Sequence, residues 1–377
     1  MRSVSQKFKN AVYALVRNVT ARIHFTMDGV TKTYDDNWII DINIIEEMNT
    51  LNTTIPANEL KVTLDNTGGE FNFLNNNNIQ EIIAKRPKIE VEFGLVLEDE
   101  TIEYVPMGTF YLIEWKNKTA SMSITLIARD NFELLSQVSY NNTSGGNLYD
   151  LAVDVLVNAG ITDYSIEDSL KDINTSGFTD RLDSRKALQH IGIASKCAVF
   201  QDRLGKIVIK SFKTLDQSDN FLVYCGQPNV FCGTVYPAVN MEFDMKNINY
   251  DNLFAEPEVS LDKPIYEVVI NVYETLGKRE VVYYNTSISG KNGTSFKIDN
   301  PLINTESHAA DVAAWLIKEA SYNAVYKTIW RQNPALECAD VILIEDSFDA
   351  KKQTRIYKQE YQYAGYLKGN TESRGGI

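Results

Sequence analysis

Met107-Gly108-Thr109-Phe110-Tyr111-Leu112-Ile113, followed by Ser123-Ile124-Thr125-Leu126-Ile127-Ala128-Arg129-Asp130-Asn131, decides the fold class. In the second stretch Ile124 and Leu126, with Met122 before them, alternate with Ser121, Ser123 and Thr125. A period of two places apolar side chains on one face of an extended chain, which reads as a half-buried antiparallel strand. The same alternation extends upstream. Ile89, Val91 and Phe93 are separated by Glu90 and Glu92, and Ile40, Ile42 and Ile44 by Asp41 and Asn43. Turn signals punctuate these runs at Asp28-Gly29, at Asn66 to Gly69 and at Asn75 to Asn78. Several strands with little helix between them predict a small barrel or sandwich over residues 1–140.

Outward from this block the periodicity changes. Phe8, Val12, Leu15 and Val19 recur at helical spacing and predict an N-terminal amphipathic docking helix. The polar, glycine-bearing run Asn141-Asn142-Thr143-Ser144-Gly145-Gly146 reads as a module boundary. Beyond it Leu148, Leu151, Ala152, Val155 and Leu156 predict a helix stopped by Gly160 at its C′ position. A second helix opens at Asp183-Ser184 and carries Ala187, Leu188 and Ile191. A hairpin follows, turning at Asp202-Arg203-Leu204-Gly205, so residues 141–235 are expected to form an α+β insert. Residues 236–377 return to strands around Val268, Val281 to Tyr284, Val325 to Arg331 and Val341 to Ile344, with a long final strand at Tyr357 to Tyr363. A helix over residues 306–321, capped by Thr305, interrupts them. No internal sequence repeat is evident.

The composition bounds the chemistry. With 37 basic and 50 acidic residues the net charge is −13, which argues against a high-affinity grip on nucleic acid. A negative wall remains compatible with a conduit along which nucleic acid slides. The four cysteines form no dense framework, which fits a reduced cytosolic origin, and Cys225 and Cys232 are spaced too widely for a zinc knuckle. No apolar run approaches the roughly 18–20 residues needed to span a bilayer. His24, His190 and His308 fall on a predicted strand and two different helices, without a metal-binding pattern. There is no G-x-S-x-G elbow. The stretch Ser289-Gly290-Lys291-Asn292-Gly293-Thr294-Ser295 has the wrong order for a phosphate loop and reads as a hairpin turn between Ile288 and Phe296. Acidic pairs such as Asp35-Asp36 and Glu46-Glu47 read as solvated faces. No catalytic residue, metal or cofactor is expected.

Three stretches resemble the hub proteins of phage tails and contractile-tail baseplates. The first is the opening pair of strands, similar to a G-x-aromatic strand (Gly108, Phe110) followed by one ending in A-x-D (Asp130). The second is the helix at Arg185-Lys186-Ala187-Leu188-Gln189-His190-Ile191 leading to the Asp-x-x-Gly-Lys turn at Gly205. The third is Asn333-Pro334-Ala335-Leu336-Glu337-Cys338-Ala339-Asp340-Val341-Ile342, similar to an NPxLxxGDxI element with Ala339 where glycine is usual. Its marker residues are Asn333, Pro334, Leu336 and Asp340. Alanine there strains any turn that requires a positive φ.

The resemblance implies a mainly β fold of two similar small β-barrel-like domains with helical and α+β insertions. It also implies a non-enzymatic role. Three copies would close a homotrimeric ring at the tail tip of a virion made in the bacterial cytoplasm. The ring would join a sixfold tail tube or distal tail protein above to a threefold spike, fibre or lytic tail-tip protein below. DNA would pass through without specific binding. Two other readings compete: a tail-associated cell-wall hydrolase, whose catalytic domain would follow the hub region where this chain stops, and an adhesin using tyrosines such as Tyr283-Tyr284 and Tyr361-Tyr363.

Overall fold

The computed structural model describes residues 2–69, 83–118, 122–212, 215, 247–275, 277–288, 292–347 and 351–376. The expected turn at Asn75 to Asn78, the pair Cys225 and Cys232, and the expected boundary at 235/236 lie outside the described residues.

Helix α1 (Gln6–Val12) leads into seven antiparallel strands: β1 (Val19–Met27), β2 (Val30–Tyr34), β3 (Ile39–Glu47), β4 (Glu59–Asp65), β5 (Lys88–Val96), β6 (Ile102–Lys118) and β7 (Ser123–Arg129). Their order in the sheet is β2-β1-β5-β6-β7-β4-β3. A short helix α2 (Asn131–Leu135) follows. The insert then runs α3 (Leu148–Asn158), β8 (Tyr164–Ile166), α4 (Ser184–Ser195), β9 (Ala198–Gln201) and β10 (Ile207–Lys210). The last part comprises β11 (Glu258–Leu261), β12 (Ile265–Glu274), β13 (Gly277–Tyr284), β14 (Thr294–Asp299), α5 (Glu306–Glu319), β15 (Ala324–Trp330), β16 (Val341–Glu345), β17 (Lys351–Tyr363) and β18 (Leu367–Gly375).

The fold is mainly β, and its two lobes share one sheet. The second lobe runs β11-β15-β18-β17, with β16 on the far side of β17. This order matches β3-β4-β7-β6-β5 of the first lobe, strand for strand and all antiparallel. The match reaches single residues. The long strand of each lobe carries one extra residue against its partner, Ile113 between Leu112 and Glu114 in β6, and Tyr357 between Ile356 and Lys358 in β17. Such bulges bend a strand and let its two halves pair with different neighbours. The first part of β17 pairs with β16, and residues 358–363 pair with β3. Among the described residues neither lobe closes as a barrel by backbone hydrogen bonds. The first is sealed by side chains of the second: Tyr361, Tyr363 and Leu367 enter its core, with the Phe93 ring 6.4 Å from Tyr361 and 5.6 Å from Tyr363.

Helices α3, α4 and α5 obey their sequence signals. Asn147, Asp183 and Thr305 each accept an amide hydrogen bond at the N-terminus of α3, α4 and α5, and Gly160 takes φ +76° beyond α3. The insert does not bury its apolar faces alone. One continuous core joins α3, α4, β9 and β10 to β12, β14 and α5.

Several expectations are corrected. Helix α1 ends at Val12. Phe8 and Val12 pack on Leu95, Leu97, Val105 and Ala335, whereas Leu15 is 95% exposed and Val19 starts β1. In β3 the register shifts between Ile39 and Asp41, so Ile39 is buried and Ile40 is exposed. Met122 lies at φ +46° outside β7, and Ser123 and Thr125 are buried along with Ile124 and Leu126, so β7 is covered on both faces. The strands before Ile288 and at Phe296 do not pair as a hairpin: β13 and β14 flank β12 on opposite sides, with β14 parallel to it. Tyr361 and Tyr363 are buried rather than exposed. The chain's final strand is β18, whose buried positions Leu367, Gly369, Thr371, Ser373 and Gly375 are mostly too small to give an apolar signal.

Smallness in β18 is a packing requirement. A Cβ at Gly369 would sit 1.8 Å from the Glu360 carbonyl oxygen of β17. Gly369→Ala is therefore expected to part β17 from β18 locally and to cost about 3 kcal/mol, read as a lowered midpoint in urea unfolding.

Candidate functional site

The three resembling stretches lie far apart in the chain and meet at one buried junction. Its centre is Arg203, on the β9–β10 turn and 4% exposed. The turn forms because Asp202 accepts the amides of Leu204 and Lys206 (3.0 and 2.9 Å) and Gly205 supplies φ +94°. It projects Arg203 between the lobes. Nη2 donates to Glu46 Oε2 on β3 (2.7 Å), to the Leu336 carbonyl (2.5 Å) and to the Tyr361 hydroxyl on β17 (2.9 Å). Nη1 donates to the Pro334 carbonyl (2.5 Å) and Nε to Glu46 Oε2 (3.2 Å). Burial works against the charge of Arg203, but Glu46, Tyr361 and Glu337 together outweigh it and hold the guanidinium protonated. Burial also pushes the Glu46 carboxyl upward, opposed by Arg203 and by the Cys338 amide, which donates to Oε1 (3.1 Å).

The other marker residues surround this centre. Gly108 lies beneath the Phe110 ring two residues on, where a Cβ would come within 2.4 Å of the ring; this explains a glycine at that spacing. Thr109 between them accepts the Gln201 amide at its carbonyl (2.8 Å) and donates its hydroxyl to the Arg203 carbonyl (3.2 Å). Asp130 caps α2, accepting the Phe132 amide at Oδ1 and the Asn58 amide at Oδ2 (2.9 Å each). Burial raises its carboxyl to about 7 against those two amides. Asn131, next to it, donates its amide to Gln201 Oε1 (2.9 Å), which ties the end of β7 to the hairpin. Asn333 accepts the Ala335 amide (2.9 Å), and Asp340 accepts the Glu337 amide (2.8 Å), shaping the loop that presents the Pro334 and Leu336 carbonyls. Ala339 adopts φ +76°, the conformation for which glycine is the unstrained residue.

A cleft of about 500 Å³ opens beside the junction, lined by Arg2, Glu46, Asp202, Glu337 and Asp340 among others. Its carboxylates serve internal contacts: Glu46 with Arg203, and Glu337 with Arg2 at 2.8 Å. The histidines also hold structural positions. His24 contacts Thr33 and Glu92, His308 Nε2 meets the Ala194 carbonyl (2.7 Å), and burial lowers His190 to about 4. Cys197 is buried, which raises its thiol to about 11. Among the described residues no group of three or more His, Cys, Asp or Glu is arranged to hold a metal ion. The pair Glu46-Glu47 is not a solvated face: the Glu46 side chain is 12% exposed and is held by Arg203, whose burial the sequence does not signal. A lone arginine in a polar turn gives no signal of burial.

Arg203→Met leaves Glu46 buried and unpaired and is expected to cost about 3–5 kcal/mol. The double variant Arg203→Met/Glu46→Gln should regain part of that loss in denaturant titration. Ala339→Gly is expected to stabilise the chain by about 1 kcal/mol through relief of the left-handed strain, seen as a raised Tm.

No family model matches the sequence, and no curated protein matches it. Solved structures do. A tail protein from Neisseria meningitidis MC58 superposes with a TM-score of 0.60 at 10% identity, over 95% of this chain and 96% of that one. The 43 kDa tail protein of prophage MuSo2 from Shewanella oneidensis gives 0.55 at 13% identity, over 93% and 98%. Over nearly the full length of all three chains, this protein has the fold of those tail proteins, as the resemblance implied.

Proposed function

We propose that the chain is a structural hub of a phage tail or phage-tail-like particle and works by shape rather than by catalysis. The observation that carries this reading is the near-complete two-way coverage by two tail proteins, combined with two lobes of one strand order in a single sheet. Two like lobes per chain allow three chains to present six similar faces, so a trimer can meet a sixfold tube on one side and a threefold spike or fibre on the other. The locked junction at Arg203 supports this by fixing the angle between lobes and insert. The net charge of −13 suits a ring through which DNA slides without adhering.

The purified chain is expected to run as three copies of 42.7 kDa in light scattering or native mass spectrometry, and to show an annulus in negative stain. A monomer at tens of micromolar would overturn the ring.

A further inference from the structure

The two lobes are joined inside the chain by one strand pairing, and each lobe repeats the surface that the other contributes to it. β3 lends its outer edge to residues 358–363 of β17. The counterpart of β3 in the second lobe is β11, and the counterpart of that part of β17 is the end of β6. Among the described residues, β11 pairs with β15 only, and β6 beyond Tyr111 runs alongside β7 only. We infer that β11 of one copy pairs antiparallel with the end of β6 in a second copy, repeating between chains the joint that β3 and β17 make within one. The inference rests on the ring proposed above and names its interface.

The pairings define the register. One row across the first lobe reads Asn43, Lys61, Ile127, Glu114, and the equivalent row of the second reads Glu258, Lys327, Glu372, Lys358. In the internal joint Lys358 faces Glu47, four residues beyond Asn43. Four residues beyond Glu258 is Asp262, so Glu114 faces Asp262, Trp115 faces Leu261, Lys116 faces Ser260, and Asn117 faces Val259. The backbone agrees. The Asp262 amide donates to Asn323 beside β15 (2.9 Å), so by alternation Val259 and Leu261 turn their amides and carbonyls outward. Their counterparts Ile44 and Glu46 lie in the internal joint.

Side chains point the same way. In the first lobe Ile44 is fully buried under Tyr361, Tyr363 and Leu367 from the second lobe. On the equivalent flank of the second lobe Val259 and Leu261 are 56% and 60% exposed, an apolar pair on an edge with no partner strand among the described residues. A second copy covers them with Trp115 and with Met122, which is the counterpart of Leu367 and is 58% exposed. Glu114 and Asp262 meet as like charges, and each already has a cation, Lys116 at 3.1 Å and Arg374 at 2.7 Å. An edge donated forward and an edge received behind make a head-to-tail contact, which closes rings rather than twofold dimers.

The test is a disulfide. Lys116 and Ser260 form a pair without mutual hydrogen bonds, whose Cα atoms approach to about 4.5 Å, within disulfide reach. Mild oxidation of Lys116→Cys/Ser260→Cys is expected to give covalent dimers and trimers on non-reducing gels, while either single variant stays at one chain. Leu261→Lys alters an exposed side chain and should raise the protein concentration needed for assembly at least tenfold while leaving the circular dichroism unchanged. A trimer that forms but never cross-links, and that tolerates Leu261→Lys, overturns this joint and leaves the ring standing. A wild-type chain that is monomeric overturns both.

Discussion

A single buried guanidinium holds the molecule's parts at fixed angles. Arg203 has five N–H groups in one rigid plane, and around it the chain gathers a carboxylate, a phenol and two main-chain carbonyls from three other segments. Each of those groups is removed from water and would be costly if left unpaired. The hairpin, the first lobe, the loop over residues 333–340 and β17 are therefore bound to one another through shared need rather than through area. Lysine, a point charge on a flexible stem, could not serve four directions at once.

Around that lock the two lobes solve the edge problem of β-sheets in a common way. An unpaired edge is an invitation to further pairing. Here a bulge at Tyr357 divides β17 between two partners, so one lobe's strand completes the other's core. Ile113 divides β6 in the same fashion. The internal joint and the proposed external one are two uses of one geometry.

Where periodicity was strong, the local structure was legible. The capped helices at 148, 184 and 306 and the alternating strands at Ile89 and Ile124 stand where their patterns place them. Patterns failed where a neighbour overrode them. One extra residue in β3 turned Ile40 outward, and the need to fit small residues against β17 erased the apolar signature of β18. Gly108, Asp130, Gly205 and Asn333 each answer a local demand: space for a ring, a cap, a positive φ, or a turn amide.

The sequence by itself determined the local geometry: which stretches extend, which coil, and where glycine or a capping oxygen ends them, because these follow from interactions a few residues long. Only the tertiary structure decided that Arg203 is buried against Glu46, that the lobes repeat one strand order, and that β3 meets β17. Those depend on contacts between residues tens to hundreds apart, and the repeated lobes share backbone hydrogen bonding rather than side-chain identity, so no pattern along the chain records them.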